Sequence, residues 1–249
     1  MIKINCNTKL LKACTIAILT STLSNTALAG VADYIYTPAV EYGEKEIDFK
    51  TGTAKLQNGE RAQVSSIGLG YGVTEYWFTE VYFKHKREGS ETLSIGEWEN
   101  KFQLTETGKY PVDLGLVVEI EAPLNRNEAY ALKLAPLLQT EFGKLQLNGN
   151  LIFERTFGPG DHITEMGYQW QAKYRWRPSF EFGLQGFGEM GKWDQWENSD
   201  EQNHRMGPAV FGKLDLGVKQ AIKYNAALLF GTSDAAPDRT LRMQVEYEF

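Results

Sequence analysis

From residue 39 to its last residue, the chain alternates apolar and polar positions over short stretches separated by glycine-rich or acidic breaks. Successive side chains of a strand point to opposite faces, so this alternation predicts half-buried β-strands and no helices. Twelve strands are expected. The first covers residues 39–50 and sets Ile47 and Phe49 against Glu46 and Asp48, with Gly43 read as a bulge. The second, 62–73, sets Ile67, Leu69 and Tyr71 against Ser66, Gly68 and Gly70. The third begins at Trp77 and opposes Val81 and Phe83 to Glu80 and Lys84. The fourth, 92–104, opposes Trp98 and Phe102 to Glu97, Glu99, Lys101 and Gln103. In the fifth, Leu116, Val118 and Ile120 oppose Glu119 and Glu121; in the sixth, Leu132, Leu134 and Leu138 oppose Lys133, Gln139 and Glu141. Pro136 is a misfit there, because proline removes a ladder hydrogen bond. The seventh opposes Leu147, Leu151 and Phe153 to Gln146, Asn148, Asn150 and Glu154. The eighth is the clearest: Tyr168, Trp170, Ala172, Tyr174 and Trp176 alternate with Gln169, Gln171, Lys173, Arg175 and Arg177. The ninth has Phe180, Phe182, Leu184 and Met190 against Glu181, Gln185 and Glu189. The tenth, 207–218, opposes Val210, Leu214 and Leu216 to Lys213 and Asp215; the eleventh opposes Ile222, Tyr224, Leu228 and Phe230 to Lys223 and Asn225. The twelfth puts Leu241, Met243, Val245, Tyr247 and Phe249 on one face and Arg242, Gln244, Glu246 and Glu248 on the other.

Each stretch has about the 9–11 residues that a tilted strand needs to cross a bilayer. The number is even. Connections after even strands are mostly short, at 143–144, 177–179 and 219–220, and those after odd strands are longer, at 51–61, 156–165, 191–206 and 232–238. The third–fourth and fourth–fifth connections break that rule. Tyr71, Tyr76, Trp77, Trp98, Tyr168 and Trp176 fall near strand ends, as interfacial aromatics do. The expected fold is all-β: one closed, antiparallel, up-and-down transmembrane β-barrel of about 12 strands.

The N-terminus predicts export. Lys3, Lys9 and Lys12 precede a short, mostly apolar run over 13–23, and Ala27, Leu28 and Ala29 supply small residues two apart. Residues 1–29 read as a cleaved signal peptide, and 30–249 as a single barrel domain. No later stretch is long and apolar enough for a transmembrane helix.

The last strand, ending in Phe249, resembles the closing strand of bacterial outer-membrane β-barrels. That resemblance implies an assembly signal at Tyr247 and Phe249, read by the barrel-assembly machinery. It also implies a location in the bacterial outer membrane, with outer-membrane lipid and lipopolysaccharide as surroundings. Residues 71–80, Tyr-Gly-Val-Thr-Glu-Tyr-Trp-Phe-Thr-Glu, are similar to uncharacterised proteobacterial outer-membrane proteins of the 12-strand channel type, which bring no assigned activity.

Composition narrows the chemistry. Cys6 and Cys14 both fall in the signal, so the remainder has no disulfide and no thiolate metal site. Three of the 26 Lys and Arg residues, and none of the 32 Asp and Glu, fall in residues 1–29, so the rest carries −9. Such a chain does not suit nucleic acid as a partner. His85, His162 and His204 show no local serine pairing of a hydrolase, so no catalytic residues are expected. Asp161, His162 and Glu165, and the loop holding Asp194, Glu197, Asp200 and Glu201, read as solvated charge, with no metal and no cofactor expected.

The polar strand faces remain. They would line a watered lumen with Glu97, Glu99, Glu119, Glu121, Glu141, Lys173, Arg175, Lys213, Lys223 and Arg242. Acids outnumber bases there, and those of the fourth to sixth strands would face bases of the tenth to twelfth. Twelve strands lie between the side-chain-filled eight-stranded barrel and the broad pore of about 16 strands. The expectation is a narrow passive channel for small polar solutes, weakly preferring cations. The alternatives are a lumen closed by paired charges, in a barrel with a structural or surface-binding role, and an outer-membrane lipid hydrolase.

Overall fold

A computed structural model describes residues 30–124, 129–158 and 162–249. The expected signal, residues 1–29, and Asp161 lie outside the described residues. The strands are β1 (Lys45–Lys55), β2 (Arg61–Thr74), β3 (Trp77–Glu88), β4 (Glu91–Gln103), β5 (Asp113–Pro123), β6 (Tyr130–Phe142) and β7 (Leu145–Phe157). They continue as β8 (Thr164–Arg177), β9 (Phe180–Lys192), β10 (Gln195–Trp196), β11 (Asn203–Gly217), β12 (Gln220–Gly231) and β13 (Arg239–Glu248). All twelve long strands pair antiparallel with their sequence neighbours, and β13 closes on β1 from Glu46↔Glu248 to Lys55↔Arg239. β10 is a two-residue extension of the β9 hairpin in the loop, outside the ring. The result is a closed 12-strand up-and-down barrel with one extra strand.

The alternation sets the two surfaces. Ile67, Leu69, Val81, Phe83, Leu132 and Leu134 are large, apolar and exposed on the outside. Apolar surface of that extent on a closed barrel is a lipid-facing wall, because closure satisfies every strand's backbone within the ring. The termini of the barrel, at β1 and β13, share one end with the two-residue turns at 143–144, 178–179 and 218–219. Longer loops at 193–202 and 232–238 lie at the other end, which is the outer one by the usual loop asymmetry.

The first strand differs from expectation. It begins at Lys45 and runs on to Lys55, so residues 39–44 do not belong to it. Gly43 is no bulge; it is a turn residue at φ 77°, and its N–H donates to the Gly72 carbonyl. Pro136 does sit within β6: it pairs with Leu116 of β5, while the β6–β7 register skips from Leu134↔Phe153 to Leu137↔Asn150. The missing donor thus falls where the ladder is already interrupted.

A closed barrel of this kind resists unfolding by detergent. The purified protein is expected to show strand-dominated circular dichroism in detergent and a different mobility on SDS gels before and after boiling. Recovery as a soluble periplasmic monomer would contradict the fold.

Candidate functional site in the lumen

The lumen is not empty. Residues 30–44 thread it from the outer half to the periplasmic turn at Gly43. Their apolar side chains seat in three inward-facing clusters. Val31 and Ala32 pack with Ala54, Ala62 and Val64; Ile35 packs with Phe187, Phe211 and Leu229; Tyr36 packs with Val117, Ala135 and Leu137. Two wall glycines make the approach possible. A Cβ at Gly52 would stand 2.0 Å from the Val31 carbonyl oxygen, and one at Gly115 would stand 2.8 Å from the Cβ of Pro38. A side chain at either position would displace the segment.

Polar contacts fix its register. The Tyr34 hydroxyl donates to Glu99 Oε2 at 2.6 Å, and that of Tyr36 to Glu119 Oε2 at 3.0 Å. The Asn150 amide donates to the Tyr36 carbonyl at 3.1 Å, and the Val40 N–H to Gln103 Oε1 at 2.8 Å. Lys50 Nζ lies 3.4 Å from the centre of the Tyr34 ring, a cation–π contact, and 3.2 Å from Asp48 Oδ2.

The expected lumen residues surround this segment, and they pair locally. Glu97, Glu99 and Glu119 are buried. Glu97 and Glu121 meet Lys84 of β3, with Glu121 at 2.6 Å. Glu119 meets Lys133 of β6 at 2.6 Å. Glu141 and Arg175 form a two-pronged pair, one arm 2.9 Å, and Lys173 lies 3.2 Å from Glu181. At the periplasmic mouth Lys223 meets Glu44 at 3.2 Å and Glu246 at 2.8 Å, besides Glu248, while Lys213 lies 2.9 Å from Glu248. Arg242 is 1 % exposed and donates to Gln185 Oε1 at 2.6 Å. The expected opposition of an acidic wall to a basic wall is therefore not how these charges are arranged. Each base of the acidic side comes from an adjacent or nearby strand, and near neighbours dominate the energy when charges share a confined space.

Two carboxylate trios bring their oxygens within 4.8 Å: Glu97, Glu99 and Glu119, and Glu44, Glu46 and Glu246. Oxygen clusters of this kind can hold a hard divalent cation. Here lysines already face them, Lys84 and Lys133 on the first trio and Lys223 on the second. Tyr247 and Phe249 stack at 5.5 Å between ring centres on the outer wall, and the Phe249 N–H donates to the Lys45 carbonyl.

Sequence reasoning missed the luminal segment, and with it Tyr34, Tyr36 and Lys50. One available signal was negative: residues 30–38 alternate poorly and contain Pro38. It also missed a contact on the outer wall, where His85 Nδ1 lies 3.2 Å from Ser94 Oγ across the β3–β4 pair. Hydrolytic use of such a pair needs a group that orients the imidazole from its second nitrogen. None is present among the described residues, and His85 is exposed. His162 rests on the Thr156 carbonyl, and His204 stacks on Tyr168.

Three solved structures share this architecture. An outer-membrane channel from Pseudomonas putida F1 is 13% identical, with a TM-score of 0.57 over 87% of this chain and 97% of its own. The NanC porin is 8% identical, with a TM-score of 0.58 over 82% of this chain and 100% of its own. The KdgM porin in complex with disordered oligogalacturonate is 8% identical, with a TM-score of 0.54 over 82% and 98%. No family model and no curated protein matches the chain. At these identities the likeness establishes the fold, that of 12-strand bacterial outer-membrane channels. Together with the apolar outer wall it places the chain in the bacterial outer membrane.

Proposed function

We propose that this protein is a narrow passive channel of the outer membrane for small polar solutes, with a weak preference for cations. One observation carries the reading: acidic and basic side chains line the barrel interior in numbers that a dry core would not hold. The shared fold with channels supports it. The cation preference follows from the surplus of acids over bases on the inward faces, which raises the local concentration of cations. The same surplus makes this lumen a poor match for a polyanion such as the oligogalacturonate bound by the KdgM porin.

A second reading is a closed-lumen barrel with a structural or surface-binding role. The close packing of residues 30–44 and the local charge pairing favour it.

Reversal potentials across a salt gradient separate the two. The channel reading expects measurable current with cations favoured, and loss of that preference in Glu119→Gln, Glu121→Gln protein. Absence of current in protein shown to be folded would leave the closed barrel. Equal preference in wild-type and doubly substituted protein would remove these glutamates from the selective path.

A further inference from the structure

The outside of the barrel is not apolar all the way round. At the outer end Arg239, Lys55 and Arg61 stand side by side, because Lys55 of β1 pairs with Arg239 of β13 and with Arg61 of β2. Two residues along the strands, Thr53 pairs with Gln63, and Gln63 with Arg87 of β3. Two residues further, Thr51 pairs with Ser65, and Ser65 with His85. Residues directly opposite one another share a face. These positions alternate with buried Ala54, Ala62 and Val64, so they belong to the outward face. All four bases, Lys55, Arg61, Arg87 and Arg239, are exposed.

Only below these rows does the apolar wall begin, with Phe49, Ile67 and Phe83 in register. From Arg61 to Ser65 the polar stretch runs about 13 Å along the strand, at about 3.3 Å per residue. β6 and β12 are built otherwise. The outward positions at the outer end of β6 are Tyr130, Leu132 and Leu134, and β12 carries Phe230 and Leu228 there, all exposed and apolar. Polar groups facing hydrocarbon are costly unless something polar lies against them. A polar gap of this depth in a lipid-facing wall therefore marks a place whose neighbour is not an acyl chain.

The patch is also of one sign. Lys55 is held by Asp238 at 3.1 Å. Arg87 donates to the Gly89 carbonyl at 3.4 Å, and neither Arg61 nor Arg239 has a side-chain hydrogen bond or ion pair among the described residues. Three guanidinium groups thus face outward without a carboxylate. Their planar forks match phosphate oxygens two at a time. A second copy of this chain does not fit as the neighbour, since a two-fold contact through this face would set the same bases against one another.

We infer that this patch binds the phosphate groups of outer-leaflet lipopolysaccharide. Arg61, Arg87 and Arg239 hold the phosphates at the rim. Gln63, Thr53, Thr51 and Ser65 lie below them, against the sugar and acyl-linkage oxygens of the same lipid. The inference concerns the outside of the barrel and holds whether or not the lumen conducts.

Native mass spectrometry of the folded barrel in detergent tests it, with two probes: lipid A bearing both phosphates, and the same lipid with both phosphates removed. The phosphorylated lipid is expected to bind more tightly, and added salt to weaken it. The triple variant Arg61→Gln, Arg87→Gln, Arg239→Gln should bind it about ten-fold or more weakly, since each base near an anionic lipid surface adds to the attraction. The control variant Lys144→Gln, Arg177→Gln removes two exposed bases at the periplasmic end and should leave binding unchanged. Gel mobility before and after boiling confirms that each variant is folded. Equal binding of the dephosphorylated lipid, an unchanged affinity in the triple variant, or an equal loss in the control overturns the proposal. A wild-type dimer that dissociates in the triple variant would give the patch to a second copy and overturn it as well.

Discussion

Replacing Tyr34, Tyr36 and Pro38 together by glycine is expected to raise single-channel conductance about two-fold or more, since the lining of a narrow pore sets its flow. These residues occupy the middle of the lumen. Tyr36 is 6% exposed, and Pro38 is among the most deeply buried side chains. Truncation removes two aromatic rings and a pyrrolidine from the path. It also has a cost. Glu99 and Glu119 each lose a phenol donor, and an abandoned hydrogen bond to a buried charged group costs about 1.5–3 kcal/mol. The variant should therefore conduct more and lose its boiling-dependent gel mobility at a lower temperature than wild type. Unchanged conductance with lowered stability would mean that the segment braces the wall without narrowing the path.

Removal of Phe249 is expected to cost most of the outer-membrane yield, whereas Glu248→Gln leaves most of it. The two residues are neighbours with different surroundings. Phe249 is 44% exposed on the outer wall, stacks on Tyr247 and donates its N–H to the Lys45 carbonyl at the β1–β13 seam. Glu248 faces inward and meets Lys213 and Lys223. Lys223 keeps Glu44 and Glu246 when Glu248 is neutralised, so the inner wall retains most of its pairing. If Tyr247 and Phe249 are the signal read by the assembly machinery, only the first variant removes part of it. Equal membrane yields for both would show that the terminal aromatic carries no special role.

The strands were legible because a half-lipid, half-water wall forces a period of two. In β8, the alternation of Tyr168, Trp170, Ala172, Tyr174 and Trp176 with polar residues matches Thr164–Arg177 closely. Strand ends were less legible. Thr51 and Thr53 continue the outward face of β1, but their moderate polarity and the adjacent Gly52 made them look like loop. The segment over 30–44 could not be read from periodicity at all. It is neither helix nor strand, and its contacts come from strands as distant as β1, β4, β5, β7 and β9. Inward apolar positions such as Val64, Val117, Leu137 and Phe187 carried the signal. They interrupt a face that is otherwise polar, because they receive Val31, Ile35 and Tyr36. The ion pairs followed the register: strand parity placed Glu97, Glu119 and Glu121 inward, and only the pairing of β3 with β4 and of β5 with β6 brought Lys84 and Lys133 to them.

The central claim is that ions and small polar solutes pass through this lumen with residues 30–44 in place. Single-channel recording in planar bilayers tests it most directly, using full-length protein whose fold is confirmed by its boiling-dependent gel mobility. The account predicts discrete current steps, small because the segment narrows the path, with reversal potentials favouring cations. A silent bilayer containing folded protein would contradict it.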